Sequence, residues 1–284
     1  TFEDEASCFA DVRRLLTYLP SNSFETPPAA APRPVDRSGE IERIVPDNLR
    51  RAYDVRTVIG ALFDEESFLE IQPDFARNGV IGLARMDGEV VGLVANQPTY
   101  IGGSLDCDCS DKMARFIRFC DCFSIPVVTV VDTMGMKVST APQGELARTA
   151  AQLMFAMTEA TTVRVALIAG NAVGMGYAAL ASRASSDVVY AWPGAVISAV
   201  TPKIAVQLNS ADELKGAEDP YAKREELENK YMDDVADGVN AARLGYVDDV
   251  IEPAMTRQMI ASALEMLAGK REAKIAKKHG NLPL

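Results

Sequence analysis

Gly88-Glu89-Val90-Val91-Gly92-Leu93-Val94-Ala95-Asn96-Gln97-Pro98 runs through a Gly102-Gly103 turn to Ser110-Asp111-Lys112-Met113-Ala114-Arg115-Phe116-Ile117-Arg118-Phe119-Cys120-Asp121-Cys122, then to Ile125-Pro126-Val127-Val128-Thr129-Val130-Val131-Asp132-Thr133-Met134-Gly135. The apolar run Val90–Ala95 reads as a buried strand. A helix follows, for which Ser110 is the expected cap, with Asp111 in its first turn. Val127–Val131 reads as a second buried strand that runs into Asp132 and a glycine turn. This strand–helix–strand unit is the signature of a layered α/β domain.

The same signals extend outward. Asp87-Gly88 lies between two apolar runs and predicts a hairpin turn. Asp54 is placed to cap a helix reaching Phe63. Downstream, the pattern predicts a helix from Gln143 to Glu159, a buried strand from Val163 to Ala169, and a glycine-rich turn from Gly170 to Gly176. That turn opens a helix through Ser182, and Asp187–Ala191 is a further short strand. Residues 220–232 and 256–268 are rich in helix formers. Upstream, residues 3–19 read as an amphipathic helix with Phe9, Val12, Leu15, Leu16 and Leu19 on one face. Pro27, Pro28, Pro32 and Pro34 make residues 26–36 an extended linker. The expected division is an N-terminal helix and linker over residues 1–38, then one domain over 39–284. Periodicity alone does not separate a doubly wound sheet from a spiral of ββα units.

Composition narrows the function. The chain has 284 residues, 48% hydrophobic and 24% charged, an ordinary globular balance. Its net charge of −11 argues against non-specific nucleic-acid binding, which needs a basic face. The first 19 residues carry acids throughout and lack the continuous apolar core of a leader. Thr1 fits removal of an initiator Met and fits a truncation equally. The longest apolar run, Val163–Ala181, is interrupted by Gly170, Asn171, Gly174 and Gly176, which speaks against a membrane span. Five cysteines in such a chain point to the reducing cytoplasm.

Several stretches, read together, resemble one family. They are Arg13–Asn22, Val45-Pro46-Asp47, Tyr53-Asp54-Val55, Phe68–Pro73, Tyr190-Ala191-Trp192-Pro193, Gly245–Ile251 and the tail Lys278–Leu284, besides Gly88–Gly135 itself. The chain resembles the carboxyltransferase (beta) subunits of biotin-dependent acyl-CoA carboxylases and decarboxylases, of the propionyl-CoA carboxylase and methylmalonyl-CoA decarboxylase type. The resemblance is to the C-terminal half of such subunits. It implies an α/β, crotonase-like (ClpP/crotonase) carboxyltransferase domain. It also implies carboxyl transfer between carboxybiotin and a short-chain acyl-CoA, with biotin carried on a partner carrier protein. The further partners implied are an N-terminal carboxyltransferase half, a biotin carboxylase or a membrane decarboxylase subunit, and an oligomeric assembly. A non-catalytic crotonase-like scaffold subunit is the rival reading.

The resemblance also names candidate residues. Carboxyl transfer develops negative charge on the biotin ureido oxygen and on the thioester enolate oxygen, so it calls for backbone N–H donors aimed at an anion. The turn Asn171-Ala172-Val173-Gly174-Met175-Gly176-Tyr177 matches the family's donor turn, making Met175 and Gly176 the expected donors, with Met where the family has Gly. Gly174 and Gly135 are expected at the biotin pocket. Gly135 lies in Asp132-Thr133-Met134-Gly135-Met136, where the family usually reads Asp-Val-Pro-Gly-Phe. A glycine-rich turn that only permits tight packing is the bland alternative for both. Ala178 takes the acyl-pocket position that often holds Asp, and Thr201–Ala205 replaces Gly-Pro-Glu-Gly-Ala. These departures cluster around the site. Cys107/Cys109 and Cys120/Cys122 can be imagined as a zinc site, but the second pair lies in a helix, where residues two apart point about 200° apart, a poor chelate. Free thiols and no structural metal are expected. His279, the only histidine, lies in a polar tail and is not expected to act. Lys112, Arg115 and Arg118 read as a solvated helix face, and the acids of 212–234 as a solvated surface.

Overall fold

A computed structural model describes residues 2–35, 37–45, 51–138, 143–272 and 278. His279, Pro46-Asp47 and the tail beyond Lys278 therefore lie outside the described residues. One sheet of eight strands organises the chain. They are β1 (Leu69–Ile71), β2 (Gly79–Met86), β3 (Glu89–Asn96), β4 (Val127–Thr133), β5 (Arg164–Val173), β6 (Val188–Ala191), β7 (Val196–Ser198) and β8 (Asp249–Val250). The order is β1-β2-β3-β4-β5-β6-β8, with β7 also paired to β5. β1, β2 and β3 pair antiparallel, and every later pairing is parallel.

The helices are α1 (Glu5–Leu16), α2 (Ile41–Ile44), α3 (Val55–Leu62), α4 (Cys107–Cys122), α5 (Gln143–Glu159), α6 (Met175–Leu180), α7 (Pro202–Asn209), α8 (Ala211–Gly216), α9 (Pro220–Tyr231), α10 (Gly238–Arg243) and α11 (Thr256–Leu267). The strand pleat sends alternate residues to opposite faces. Val90 and Val94 join Met113, Ile117, Leu153 and Met157 on one face. Val91, Leu93 and Ala95 join Val58, Ile59, Leu62, Ile260 and Ala263 on the other. A sheet apolar on both faces is what parallel strands covered by helices require.

The hairpin, the α3 cap and α5 lie where the sequence predicts them. Asp54 accepts from the Arg56 N–H at 2.9 Å, and Asp87 and Gly88 take positive φ between β2 and β3. Four expectations are corrected. Asp106, not Ser110, caps α4: its Oδ1 accepts from the Cys109 N–H at 3.0 Å, and Ser110 lies buried inside the helix with its hydroxyl donating to the Asp106 carbonyl. β5 runs through Gly170 and Asn171 to Val173, because β7 gives its far end a partner. The turn is thus confined to Gly174, and α6 ends at Leu180 rather than Ser182. Lys112 is not solvated. It is 2% exposed, and its ammonium donates to the carbonyls of Gln72 (2.9 Å), Phe75 (2.7 Å) and Gly79 (2.8 Å). Arg115 does lie at the surface, paired with Asp111. β7, α7, α8 and α10 are short elements that the sequence pattern did not separate from loop.

The proline-rich segment is extended and tied down. Arg85 donates to the carbonyls of Pro28, Gly88 and Thr17, and its guanidinium lies 4.9 Å from the Tyr18 ring centre. Leu15 and Leu19 pack on the core, while Phe9, Val12 and Leu16 are exposed. The predicted apolar face of α1 is therefore split between core and surface.

Cys109 and Cys120 also face the sheet. A Cβ placed on Gly79 would meet the Cys109 sulfur at 2.5 Å, and one on Gly92 the Cys120 sulfur at 2.5 Å. These strand glycines let α4 pack closely, and burial pushes both thiols upward in pKa. All five cysteines are free thiols. Among the described residues no three His, Cys, Asp or Glu side chains are grouped to hold a metal, and no helix is long and apolar enough to cross a membrane.

Candidate functional site

Three segments meet beyond the C-terminal ends of β4, β5 and β7, the edge where parallel sheets commonly place their sites. The first is Thr133–Met136. Gly135 takes φ +92°, its N–H donates to the Thr133 hydroxyl at 3.1 Å, and its carbonyl accepts from the Leu105 N–H at 2.9 Å. The second is Val173–Ala178. Gly174 adopts φ +54°, a conformation that disfavours a side chain, and its N–H donates to the Ser198 carbonyl at 2.8 Å. The third is Ser198–Thr201, where Thr201 caps α7.

Contact among the three is close enough to demand missing side chains. A Cβ on Gly174 would stand 2.9 Å from the Ala199 carbonyl oxygen, and one on Gly135 3.0 Å from that of Val173. A Cβ on Gly176 would stand 2.5 Å from Thr133 Cγ2 and 3.3 Å from Gly135 Cα. The fold thus brings Gly135, Gly174 and Gly176 together. Met175 is the first residue of α6, and its side chain is 42% exposed beside this junction. The first N–H groups of a helix have no acceptor inside it. Among the described residues nothing accepts from the N–H of Met175 or Gly176. Ala178 is half-buried one turn on, and its N–H donates to the Gly174 carbonyl at 3.1 Å.

A polar cluster lies beneath the junction, and sequence reasoning passed over it. Asp132 is 8% exposed; its Oδ1 accepts from the Asn171 backbone N–H at 2.9 Å and from the Asn171 side chain at 3.2 Å. Burial raises its pKa, opposed by those amide donors. The buried Tyr53 hydroxyl lies near Asp132 and helps to lower the Asp132 pKa, while burial first, then the Asp132 charge, push the Tyr53 pKa up. Asn96, fully buried at the end of β3, donates to the Gly103 carbonyl at 3.1 Å, and its own oxygen has no partner among the described residues. The available signal was an acid ending the apolar run Val127–Val131. A cleft of about 710 Å³ lies elsewhere, walled by α1 and α3 and lined by Arg14, Ile59, Phe63, Glu66 and Phe68.

Comparison with known proteins gives this arrangement its family. The carboxyl transferase domain family matches residues 1–282, and the chain belongs to it. The chain is 44% identical over 286 residues to the propionyl-CoA carboxylase carboxyltransferase subunit of Haloferax mediterranei, covering 99% of this chain and 55% of that protein. It is 41% identical to the methylmalonyl-CoA decarboxylase subunit alpha of Propionigenium modestum, with the same coverage. The transcarboxylase 12S crystal structure, a hexamer assembly with methylmalonyl-coenzyme A and methylmalonic acid bound, superposes with a TM-score of 0.92 at 39% identity, over 99% of this chain and 55% of that one. The fold is the crotonase-like carboxyltransferase fold that the resemblance implied. The chain spans about half the length of the curated relatives it matches.

Proposed function

We infer that this chain is the C-terminal, biotin-facing half of a biotin-dependent acyl-CoA carboxyltransferase. It would act on a short-chain acyl-CoA in the cytoplasm, within an oligomer that includes an N-terminal half. A biotin carrier protein, and a biotin carboxylase or a membrane decarboxylase subunit, complete the reading. The observation that carries it is the pair of unpartnered N–H groups on Met175 and Gly176, held where three turns meet. Such a pair suits an oxygen that gains negative charge, and it needs no reorganisation because the turn is fixed by packing on both sides. That fit supports the ureido oxygen of biotin as the acceptor; carboxybiotin, when bound, supplies or receives the carboxyl group. Gly135 and Gly174 bring the backbone close and leave room for a planar ring. Ala178, small and uncharged, leaves the acyl side of the site apolar. Met175 puts a flexible thioether where the family has no side chain, which narrows the entrance without removing a donor.

The test mixes this chain with a matching N-terminal half and follows carboxyl transfer from methylmalonyl-CoA to free biotin. The expected result is negligible transfer by the chain alone and turnover with the half supplied. Met175→Pro is the decisive variant. Proline suits the first position of a helix and removes one donor, so the fold should hold while turnover falls on the order of 10²-fold. Met175→Ala should keep much of the activity. A complex that forms yet shows no transfer would favour the rival, a non-catalytic scaffold. Wild-type turnover in the proline variant would overturn the donor assignment.

A further inference from the structure

We propose that Asp132 is the positioning residue of this site: its carboxylate stands in for a strand partner at a bulge in β5 and thereby sets where the Gly174–Gly176 turn points. The inference rests on the carboxyltransferase reading only for what the turn does, not for how it is held.

The register between β4 and β5 carries the argument. Pairing runs regularly from Val127↔Arg164 to Val131↔Ile168, then jumps to Thr133↔Ala172. One residue on β4, Asp132, therefore faces three on β5, Ala169 to Asn171. An N–H in such a bulge loses its ladder acceptor. Here the Asn171 N–H goes to the Asp132 carboxylate at 2.9 Å, and the Asn171 side chain bonds the same oxygen. Gly170 completes the seat: a Cβ there would stand 2.6 Å from Asp132 Cγ and Oδ2, so the carboxylate lies flat on bare backbone.

The bulge is also where β5 changes partner. Val165–Ile168 pair with β6, whereas Asn171–Val173 pair with β7. Gly174 follows at once and bonds to Ser198 at the end of β7. The direction in which β5 leaves the bulge therefore decides where the N–H groups of Met175 and Gly176 aim. Asp132 touches neither donor, so its effect passes through the strand. Displacement of a donor by about 1 Å is enough to cost on the order of 10²-fold in rate.

The experiment compares Asp132→Leu, which removes the acceptors, with Asp132→Asn, which keeps one, and with Gly170→Ala, which pushes the carboxylate from its seat. Transfer is measured with the N-terminal half present, and amide hydrogen exchange at Asn171 and Gly174 is measured on the chain itself. Asp132→Leu should lower kcat on the order of 10²-fold while KM for methylmalonyl-CoA changes little, with faster exchange confined to 170–176. Gly170→Ala should move both readouts the same way, and Asp132→Asn should restore kcat to within a few-fold of wild type. An unchanged kcat and unchanged exchange in Asp132→Leu would overturn the proposal. So would an Asp132→Asn variant as impaired as Asp132→Leu, because the charge and not the placement would then be acting. If the wild-type assembly transfers nothing, the functional reading fails, and exchange still decides the positioning: local acceleration supports it, none refutes it.

Discussion

Asp64, against the turn before β3, and Asp132, near the C-terminal end of the parallel β4, are both buried carboxylates, and their surroundings are opposite. Asp64, 5% exposed, takes four donors: the N–H groups of Asp87 (3.1 Å), Gly88 (2.8 Å) and Arg33 (3.4 Å), and the Arg257 guanidinium (2.7 Å). Asp132 has the amides of Asn171 and the nearby Tyr53 hydroxyl, and among the described residues no cation pairs with it. The pKa directions diverge accordingly. For Asp64 the cost of burial is outweighed by Arg257 and the backbone donors, so its pKa is lowered. For Asp132 burial wins and its pKa is raised. Where a carboxylate holds the fold together, as Asp64 ties the hairpin turn, the proline-rich arm and α11, its charge is compensated. Where it sits beneath the candidate site, the charge meets neutral donors and no cation among the described residues, and backbone geometry is what it serves.

Removing Asp64 should give the largest effect. Asp64→Ala leaves Arg257 beside the Leu62 carbonyl with, among the described residues, only the exposed Asp87 as counter-charge, and frees the turn N–H groups. Breaking such a buried pair costs about 3 kcal/mol or more. Denaturant unfolding of the variant measures it. A loss below about 1 kcal/mol would place Asp64 with ordinary surface pairs and dissolve the contrast.

Acid should separate the two aspartates next. A lowered folded pKa means that the stabilisation by Asp64 is complete above the ordinary Asp value, about 4, and is lost as pH falls through the folded value. Asp187 behaves alike: burial is outweighed by Lys270 at 2.9 Å, the Arg164 N–H and the Arg164 charge. Stability followed between pH 6 and pH 2, chosen to bracket about 4, should decline more steeply in wild type than in Asp64→Ala, whose deficit shrinks towards acid. A deficit independent of pH would mean that Asp64 acts by packing and not by charge.

The sequence disclosed the strand–helix–strand core, the Asp87-Gly88 hairpin, the Asp54 cap and the extent of α5, because each is written in contiguous residues. It misplaced the start of α4, since Asp106 and Ser110 are both good caps, and the Asn78 side chain that holds Asp106 at 3.2 Å comes from elsewhere in the chain. Lys112 was misread for the same reason: the carbonyls it binds lie more than 30 residues upstream. The end of β5 was cut short at Gly170 because glycine signals a turn locally, while the glycine here makes room for Asp132. Of the candidate site, the turn of Gly174–Gly176 was legible as a pattern. The cluster of Asp132, Asn171, Tyr53 and Asn96 was not, because the meeting of three strand ends is a property of register.

The smallest effect is the one that most sharpens the comparison. A raised folded pKa reverses the linkage: the protonated form of Asp132 is favoured by folding, so its contribution is fully present below the ordinary Asp value and is lost as pH rises through the folded value. Above the folded pKa the ionised carboxylate therefore costs stability that an uncharged amide of the same shape would not. Asp132→Asn keeps an oxygen for the Asn171 N–H and removes the charge. Compared between about pH 4 and about pH 8, its stability relative to wild type should rise with pH, the opposite slope to Asp64→Asn. Thermal unfolding of the two variants at both pH values measures it. If Asp132→Asn instead destabilises at pH 8, a cation must compensate Asp132 in the folded protein, and the two aspartates are one kind of site, not two.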